Sequence, residues 1–174
     1  TLSPDPPADE PADRFTYDPR RPVPTLGGNN LGVGPDIVVA GPYDQRPVER
    51  RRDVLVYTTP ALEKDVEVTG PILVRLHAAS SAPDTDFTVK LLDVFPRGAS
   101  INLCDGILRA RYRNSFRRAT LLTPGRVTDF TIDAGVTSNV FRRGHRIRLE
   151  ISSSNFPRFD RNPNTGGPFG TEAV

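Results

Sequence analysis

Two aspartates that flank a threonine, Asp84 and Asp86 in the string PDTDF, are the residues whose type and spacing most directly allow chemistry. Paired carboxylates beside a turn bind Ca²⁺ in many proteins, but this string lacks the ligand spacing of an EF-hand loop. Aspartates before a strand more often accept hydrogen bonds from the backbone amides of the turn, and we expect that role here. The zinc signatures C-x-x-C and H-E-x-x-H are also absent, so no metal or other cofactor is expected.

Nucleophilic catalysis has equally little support. A serine hydrolase needs a nucleophile on a strained elbow, a histidine base and a carboxylate that orients the base. The chain has no G-x-S-x-G string and only two histidines, His77 and His145, which lie on or beside stretches of strand-like alternation. The single Cys104 falls in an apparent turn with no histidine close in sequence. We therefore assign no catalytic residue and expect this chain alone to be inactive.

Composition limits the other function classes. The 174 residues suffice for one domain with a core, and the 18 prolines and 14 glycines favour turns over long helices. The formal charge is only +2, and the arginine clusters mostly fall on alternating strand positions, which predicts a solvated sheet face instead of a nucleic-acid surface. No apolar run is long enough to cross a bilayer. We expect a soluble protein without nucleic-acid or membrane partners, in either a cytoplasmic or a secreted location.

Short stretches of alternating apolar and polar residues predict seven or eight β-strands, counting 100–113 as two and 37–39 as a possible edge strand. The clearest is 145–153, in which Ile147, Leu149 and Ile151 share one face and the polar residues form an exposed opposite face. The other stretches are 53–58, 70–81, 87–95, 100–113 and 126–133, and 100–113 is expected to form a hairpin that turns at Cys104-Asp105-Gly106. A helical turn is expected near 137–141, and residues 37–39 fit a short edge strand.

These strands predict an all-β fold. Each strand has one apolar face, and two antiparallel sheets placed face to face bury such faces in a β-sandwich. Jelly-roll and immunoglobulin-like topologies fit the strand count equally well. Residues 1–13 are rich in proline and acidic residues and predict a linker or tail. Residues 14–41 predict an extended arm, because their prolines and glycines exclude a helix, and 42–174 form the sandwich.

Several specific strings recur in one order along the chain: PVPTLGG (22–28), GPYDQRPVERRRDVLVYTT (41–59), DVEVTGP (65–71), DTDFTVKLLDVFPRG (84–98), LCDGILRARYR (103–113) and TSNVFRRGHRIRLEISSSNFPRFDRNPNTG (137–166). Together they resemble the C-terminal domain of the cocaine esterase / X-Pro dipeptidyl-peptidase family of serine hydrolases, the CocE/NonD type. The resemblance covers nearly everything after residue 14.

This resemblance implies a jelly-roll β-sandwich of the galactose-binding-like kind, packed on the α/β-hydrolase catalytic domain of the same parent protein. In the family the catalytic triad belongs to that other domain. The jelly roll is non-catalytic: it supports the catalytic domain, helps to shape the substrate cleft and contributes to homo-oligomer contacts. The parent would be an esterase, an acylase or an X-Pro dipeptidyl-peptidase. Family members continue into a last strand that this chain lacks, so the sandwich is expected to miss its final strand.

The resemblance also implies two sites. It places residues 27–34 at the hydrolase cleft, so Leu31 and Val33 are predicted to help form the wall of an acyl pocket, with packing on this domain's own sheet as the alternative. The loop 155–164 is predicted to contact the catalytic domain through Asn155, Phe156, Phe159 and Asn162. The competing function is a free-standing carbohydrate-binding or structural interaction module. The lack of tryptophan speaks against sugar binding, which usually needs exposed aromatic rings.

Overall fold

A computed structural model of the chain describes residues 2–4, 10–30, 38–168 and 170–171. The described elements are one short helix, one 3₁₀ turn (Ala110–Tyr112) and a series of strands. In chain order they are α1 (Arg46–Glu49), β1 (Leu55–Thr58), β2 (Val66–Ala78), β3 (Asp86–Val94), β4 (Ser100–Arg109), β5 (Thr128–Phe141) and β6 (Arg146–Ser152). The all-β prediction is confirmed. Within these residues no helix is long and apolar enough to span a membrane.

The strands form two antiparallel sheets, as predicted. The larger has the order β1-β6-β3-β4, and the smaller pairs β2 with β5. Apolar residues from both sheets meet in one core, in which the rings of Phe87 on β3 and Phe130 on β5 lie 4.8 Å apart. Burying each such side chain stabilises the fold by roughly 1.5–3 kcal/mol. The two-sheet β-sandwich follows from this packing.

The central strand β3 is buried on both faces along its whole length. Phe87, Val89 and Leu91 point into the core between the sheets. The opposite face is covered by the N-terminal arm and α1, whose Val23 and Val48 form a second small apolar cluster with Val54. The larger sheet is therefore a middle layer, with the core on one side and the arm on the other.

This cover corrects the prediction that the polar face of 145–153 is exposed. In β6, Glu150 is only 3% exposed and Ser152 only 5% exposed. The arm and α1 lie over this face, and the backbone N–H of Val23 donates to the Ser154 hydroxyl at 2.8 Å. Alternation shows that a strand has two different faces, but a polar face can also be buried when polar partners satisfy it.

The hairpin predicted at Cys104-Asp105-Gly106 is wrong, because β4 runs straight through this string. Asp105 pairs with Lys90 and Gly106 with Val89 in the β3 ladder. Gly106 does not turn the chain but lets β4 approach β5 closely. A side chain on Gly106 would overlap the backbone of Asp133 on β5.

Two smaller predictions are also wrong. The expected helical turn at 137–141 is the end of β5, which pairs with the first residues of β2. Residues 38 and 39 are not in a strand, and residue 37 lies outside the described residues. The long β2–β5 ladder holds 137–141 extended, with Phe141 fully buried at its end.

Candidate functional site

The arm and the loop that follows β6, the two stretches singled out from the sequence, meet on one side of the domain. The backbone N–H of Thr25 donates to the Phe156 carbonyl at 2.8 Å, and the N–H of Phe156 donates to the Val23 carbonyl at 2.9 Å. The N–H of Arg158 reaches the Thr25 hydroxyl at 3.3 Å. The arm and the loop therefore form one continuous surface.

The arm closes on itself where it leaves this surface. Gly28 and Gly41 exchange two backbone hydrogen bonds of 2.7 and 3.0 Å, which bring the ends of segment 29–40 together. Gly27 has a left-handed φ of 60°, and a side chain on it would overlap the Gly41 carbonyl and the Tyr43 ring. Glycine is required there for both reasons. Leu31 and Val33 fall within this segment but outside the described residues.

Asp105, in the middle of β4, ties the loop to the sheet. Its carboxylate accepts hydrogen bonds from the Arg158 guanidinium and from Asn155 Nδ2, the latter at 3.2 Å. The Arg158 guanidinium also lies against Gly28, since a Cβ on that glycine would sit 3.2 Å from Arg158 Nη1. The Asp105 carboxylate thus holds the loop after β6 against Gly28, where segment 29–40 begins. Sequence reasoning assigned Asp105 to a turn and missed this role.

The four residues predicted to contact another domain differ in accessibility. Asn155 and Asn162 are 2% and 1% exposed, with their side chains turned into this domain. Phe156 is 38% exposed, and the Arg161 guanidinium lies 5.0 Å from the centre of its ring. Phe159 is partly buried beneath Arg158 at the same distance of 5.0 Å. The two aromatic rings are therefore the members of this set that reach the surface.

Asp84 and Asp86 are buried, and the partners of their carboxylates lie far along the chain instead of in the adjacent turn. Arg111 Nε donates to Asp84 at 2.7 Å, and Arg109 Nε donates to Asp86 at 2.8 Å. Asn162 Nδ2 bridges both carboxylates at 2.9 Å. Burial raises the pKa of Asp86, while its hydrogen bonds with Arg109 oppose that rise. Asp84 and Asp86 therefore do not cap the adjacent turn as expected but belong to a buried ionic network with Arg109, Arg111 and Asn162.

This network also corrects the expectation that the alternating arginines line a solvated face. The side chains of Arg109 and Arg111 are 16% and 11% exposed. Arg111 Nη1 donates to the Gly167 carbonyl at 2.8 Å and so fastens the end of the C-terminal loop. Across the described residues, no group of three or more His, Cys, Asp or Glu side chains could hold a metal ion. The network holds the loop in place by ion pairing.

A small cavity of about 250 Å³ opens beside the network. It is smaller than the usual range of about 300–1,000 Å³ for ligand pockets, and Asp86 already binds the one arginine in its wall. The lining residues are Asp86, Ile107, Arg109, Tyr112, Phe159 and Asp160.

The two histidines and the cysteine do not form a catalytic set. His77 pairs with Asp129 on the exposed face of the smaller sheet, and His145 pairs with Asp93 at 2.8 Å beside the Phe95 ring. Cys104 is buried, and burial raises the pKa of its thiol to about 11. In the part of the chain that the structure describes, neither imidazole contacts a serine hydroxyl or the thiol.

Comparison with known proteins shows which family this chain resembles. The family model of the X-Pro dipeptidyl-peptidase C-terminal non-catalytic domain matches residues 1–172. Cocaine esterase from Rhodococcus sp. (strain MB1 Bresler) is 53% identical over 165 residues, which make up 95% of this chain and 28% of that protein.

Two solved structures share the fold with a TM-score of 0.83 over 94% of this chain. One is an aminopeptidase from a marine sediment archaeon, Thaumarchaeota archaeon, with 34% identity, and the other is an alpha-amino acid ester hydrolase with 31% identity. This chain covers 29% of each of them, so it spans less than a third of the length of these relatives.

Proposed function

Because the chain belongs to the family of X-Pro dipeptidyl-peptidase C-terminal non-catalytic domains, we propose that it is the accessory β-sandwich of a larger α/β-hydrolase-type serine hydrolase. The similarity to a cocaine esterase favours a parent that cleaves esters, with acylase and X-Pro dipeptidyl-peptidase activities as the other family chemistries. The parent's serine acyl-enzyme chemistry and its oxyanion hole would reside in the catalytic domain of the same polypeptide.

The contribution of this chain to that chemistry is to present the segment between Gly28 and Gly41 to the substrate cleft. A loop whose two ends are tied to a rigid sheet suits a binding role, because the sheet fixes where the loop begins and ends. The paired glycines, together with Asp105 and Arg158 beneath them, supply this rigid base. Leu31 and Val33 then form part of the apolar wall of the acyl pocket.

The neighbouring surface makes the contact with the catalytic domain in this proposal. Phe156 and Phe159 each lie beside an arginine guanidinium, and aromatic residues and arginine are enriched at protein interfaces. Asn155 and Asn162 support this surface from below through their hydrogen bonds to buried aspartates.

We also propose that a further strand of the parent protein pairs with the open edge of β2. Among the described strands, β2 pairs with β5 on one side and with none on the other. The core-facing side chains of β2, such as Val74 and Leu76, are only partly buried, whereas Phe130 and Ile132 on β5 are fully buried. A companion strand along β2 would cover this side of the core and pair its free amides. The same edge is where we place a homo-oligomer contact if a second copy supplies the strand.

Steady-state kinetics of the parent polypeptide test the cleft role. Leu31→Ala should change KM or acyl preference, by about 10-fold or more in kcat/KM for the acyl group that contacts it, because one lost apolar contact is worth about 1–3 kcal/mol. Val136→Ala, an exposed apolar residue on β5, is the control and should leave kinetics unchanged. Unchanged kinetics for Leu31→Ala with every acyl group would end this part of the proposal.

A further inference from the structure

An amine and a carboxyl group, those of Lys90 and Glu150, are buried beneath α1. Lys90 on β3 and Glu150 on β6 face each other in the ladder and are 4% and 3% exposed. Lys90 Nζ donates to Gln45 Oε1 at 2.9 Å and lies 3.6 Å from Glu150 Oε2. Burial lowers the pKa of Lys90, and the carboxylates of Glu150 and Asp105 oppose this shift.

A second carboxylate, that of Glu49 at the end of α1, lies on the same face of the larger sheet. Its Oε1 accepts from the Ser100 hydroxyl, and its Oε2 accepts from Arg148 Nη1 at 2.7 Å. Both oxygens thus have donors, one of them a cation.

Only one carboxyl oxygen of Glu150, Oε2, has a cation beside it. Its Oε1 is buried and has no hydrogen-bond donor among the described residues. Glu49 lies over the same face of β6, where it binds Arg148 two positions before Glu150, and its carboxylate acts on that of Glu150. Two carboxylates can hydrogen-bond to each other only when one of them carries a proton, and an unpaired buried oxygen destabilises the fold. A proton on Glu150 Oε1 removes this deficit, since the oxygen then becomes a donor to Glu49.

We propose that Glu150 carries a proton that it donates from Oε1 to Glu49, and that this proton fastens α1 and the arm onto the sheet until rising pH removes it. Once the proton is lost to solvent, the two carboxylates repel each other. The effect reaches the arm because Gln45, which caps α1, donates from Nε2 to the Leu26 carbonyl at 2.8 Å. This inference concerns the chain itself and does not depend on the parent's activity.

The surrounding charges set the direction of the pH dependence. The charged groups that act on Glu150 are Lys90 from β3 and Glu49 from α1. Arg148 on β6 binds Glu49, and Asp105 on β4 faces Lys90. Burial raises the pKa of Glu150 to about 7, Lys90 lowers it and Glu49 raises it further. A carboxyl whose folded pKa is raised stabilises the fold fully below its ordinary value of 4.5, and this stabilisation is lost as pH rises through about 7.

Two separate measurements on this 174-residue chain test the proposal: the titration of Glu150 and the exchange protection of the amides in and beside α1. Carboxyl ¹³C NMR of glutamate-labelled protein should show one resonance, absent in Glu150→Gln, that titrates near neutral pH. The N–H groups of Val48 and Arg51 donate to the carbonyls of Gln45 and Val48, respectively. Their protection against amide hydrogen exchange should fall by about 10-fold between pH 6 and 8. Protection at Leu76 on β2 should not change over this range.

Glu150→Gln should keep high protection at Val48 at pH 8, because a neutral amide can donate to Glu49 permanently. Glu63→Gln, at an exposed glutamate before β2, is the matched control and should behave as the wild type does. A Glu150 resonance already ionised at pH 5 would overturn the proposal. So would protection at Val48 that stays constant while Glu150 titrates. Both readouts on the wild type stand even if a variant fails to fold.

Discussion

Gly106 on β4 lies directly against the backbone of Asp133 on β5, so that a Cβ on the glycine would sit 2.8 Å from the Asp133 carbonyl carbon. The contact joins the edge of the larger sheet to the smaller sheet. Because backbone meets backbone there, neither partner can move away as a flexible side chain would. The spacing of the two sheets at this point therefore depends on the absence of a side chain.

Gly106→Ala should destabilise the domain by about 3 kcal/mol or more, since overpacking against a rigid backbone forces the strands apart. Urea denaturation followed by circular dichroism measures this loss. Gly98→Ala is the control: it has open space but a φ of 93°, so it should cost about 1–3 kcal/mol from backbone strain alone. Equal losses for the two variants would show that the β4–β5 contact can relax.

The string that contains Gly106 shows how far the sequence predicts the fold. Alternation along β3, β4 and β6 correctly predicted strands and a two-sheet sandwich, because side-chain direction in a strand is a local property. Asp-Gly was assigned to a hairpin turn because local chemistry cannot distinguish a glycine that turns the chain from one that meets a distant strand.

The candidate site was predicted less completely for the same reason. The contact between Val23 and Ser154 joins residues 131 positions apart, and the bond from Arg158 to Asp105 spans 53 positions. Local patterns do not show which polar side chains become partners across such separations. They did mark the arm and the loop as unusual stretches, and the structure brings these two stretches together.

The buried ionic network should contribute strongly to stability. Asp84→Asn removes the charge that compensates Arg111 in the interior, and the loss of one partner of a buried pair typically costs about 3–5 kcal/mol. Asp65→Asn removes an exposed partner of Arg142 and should cost much less. Thermal unfolding of both variants at one pH measures the difference. If the two melting temperatures coincide, the network is not a stabilising clamp on the C-terminal loop.

Cys104 should be almost unreactive in the folded chain. Only the thiolate is nucleophilic, and burial raises the pKa of this thiol to about 11. Alkylation by iodoacetamide at pH 8 should therefore be slow for the native protein and fast in urea, as followed by intact mass. Rapid alkylation of the native chain at pH 8 would contradict the buried position of this strand and reopen a chemical role for the thiol.

Ester hydrolysis by the purified 174-residue chain, compared with the parent polypeptide that includes the catalytic domain, shows whether the bond-breaking residues lie outside this chain. We expect no hydrolysis above background by the chain alone, and hydrolysis by the parent that a serine-directed inhibitor abolishes. Inhibitor-sensitive hydrolysis by the chain alone would refute the accessory role, because it would place the nucleophile inside the β-sandwich.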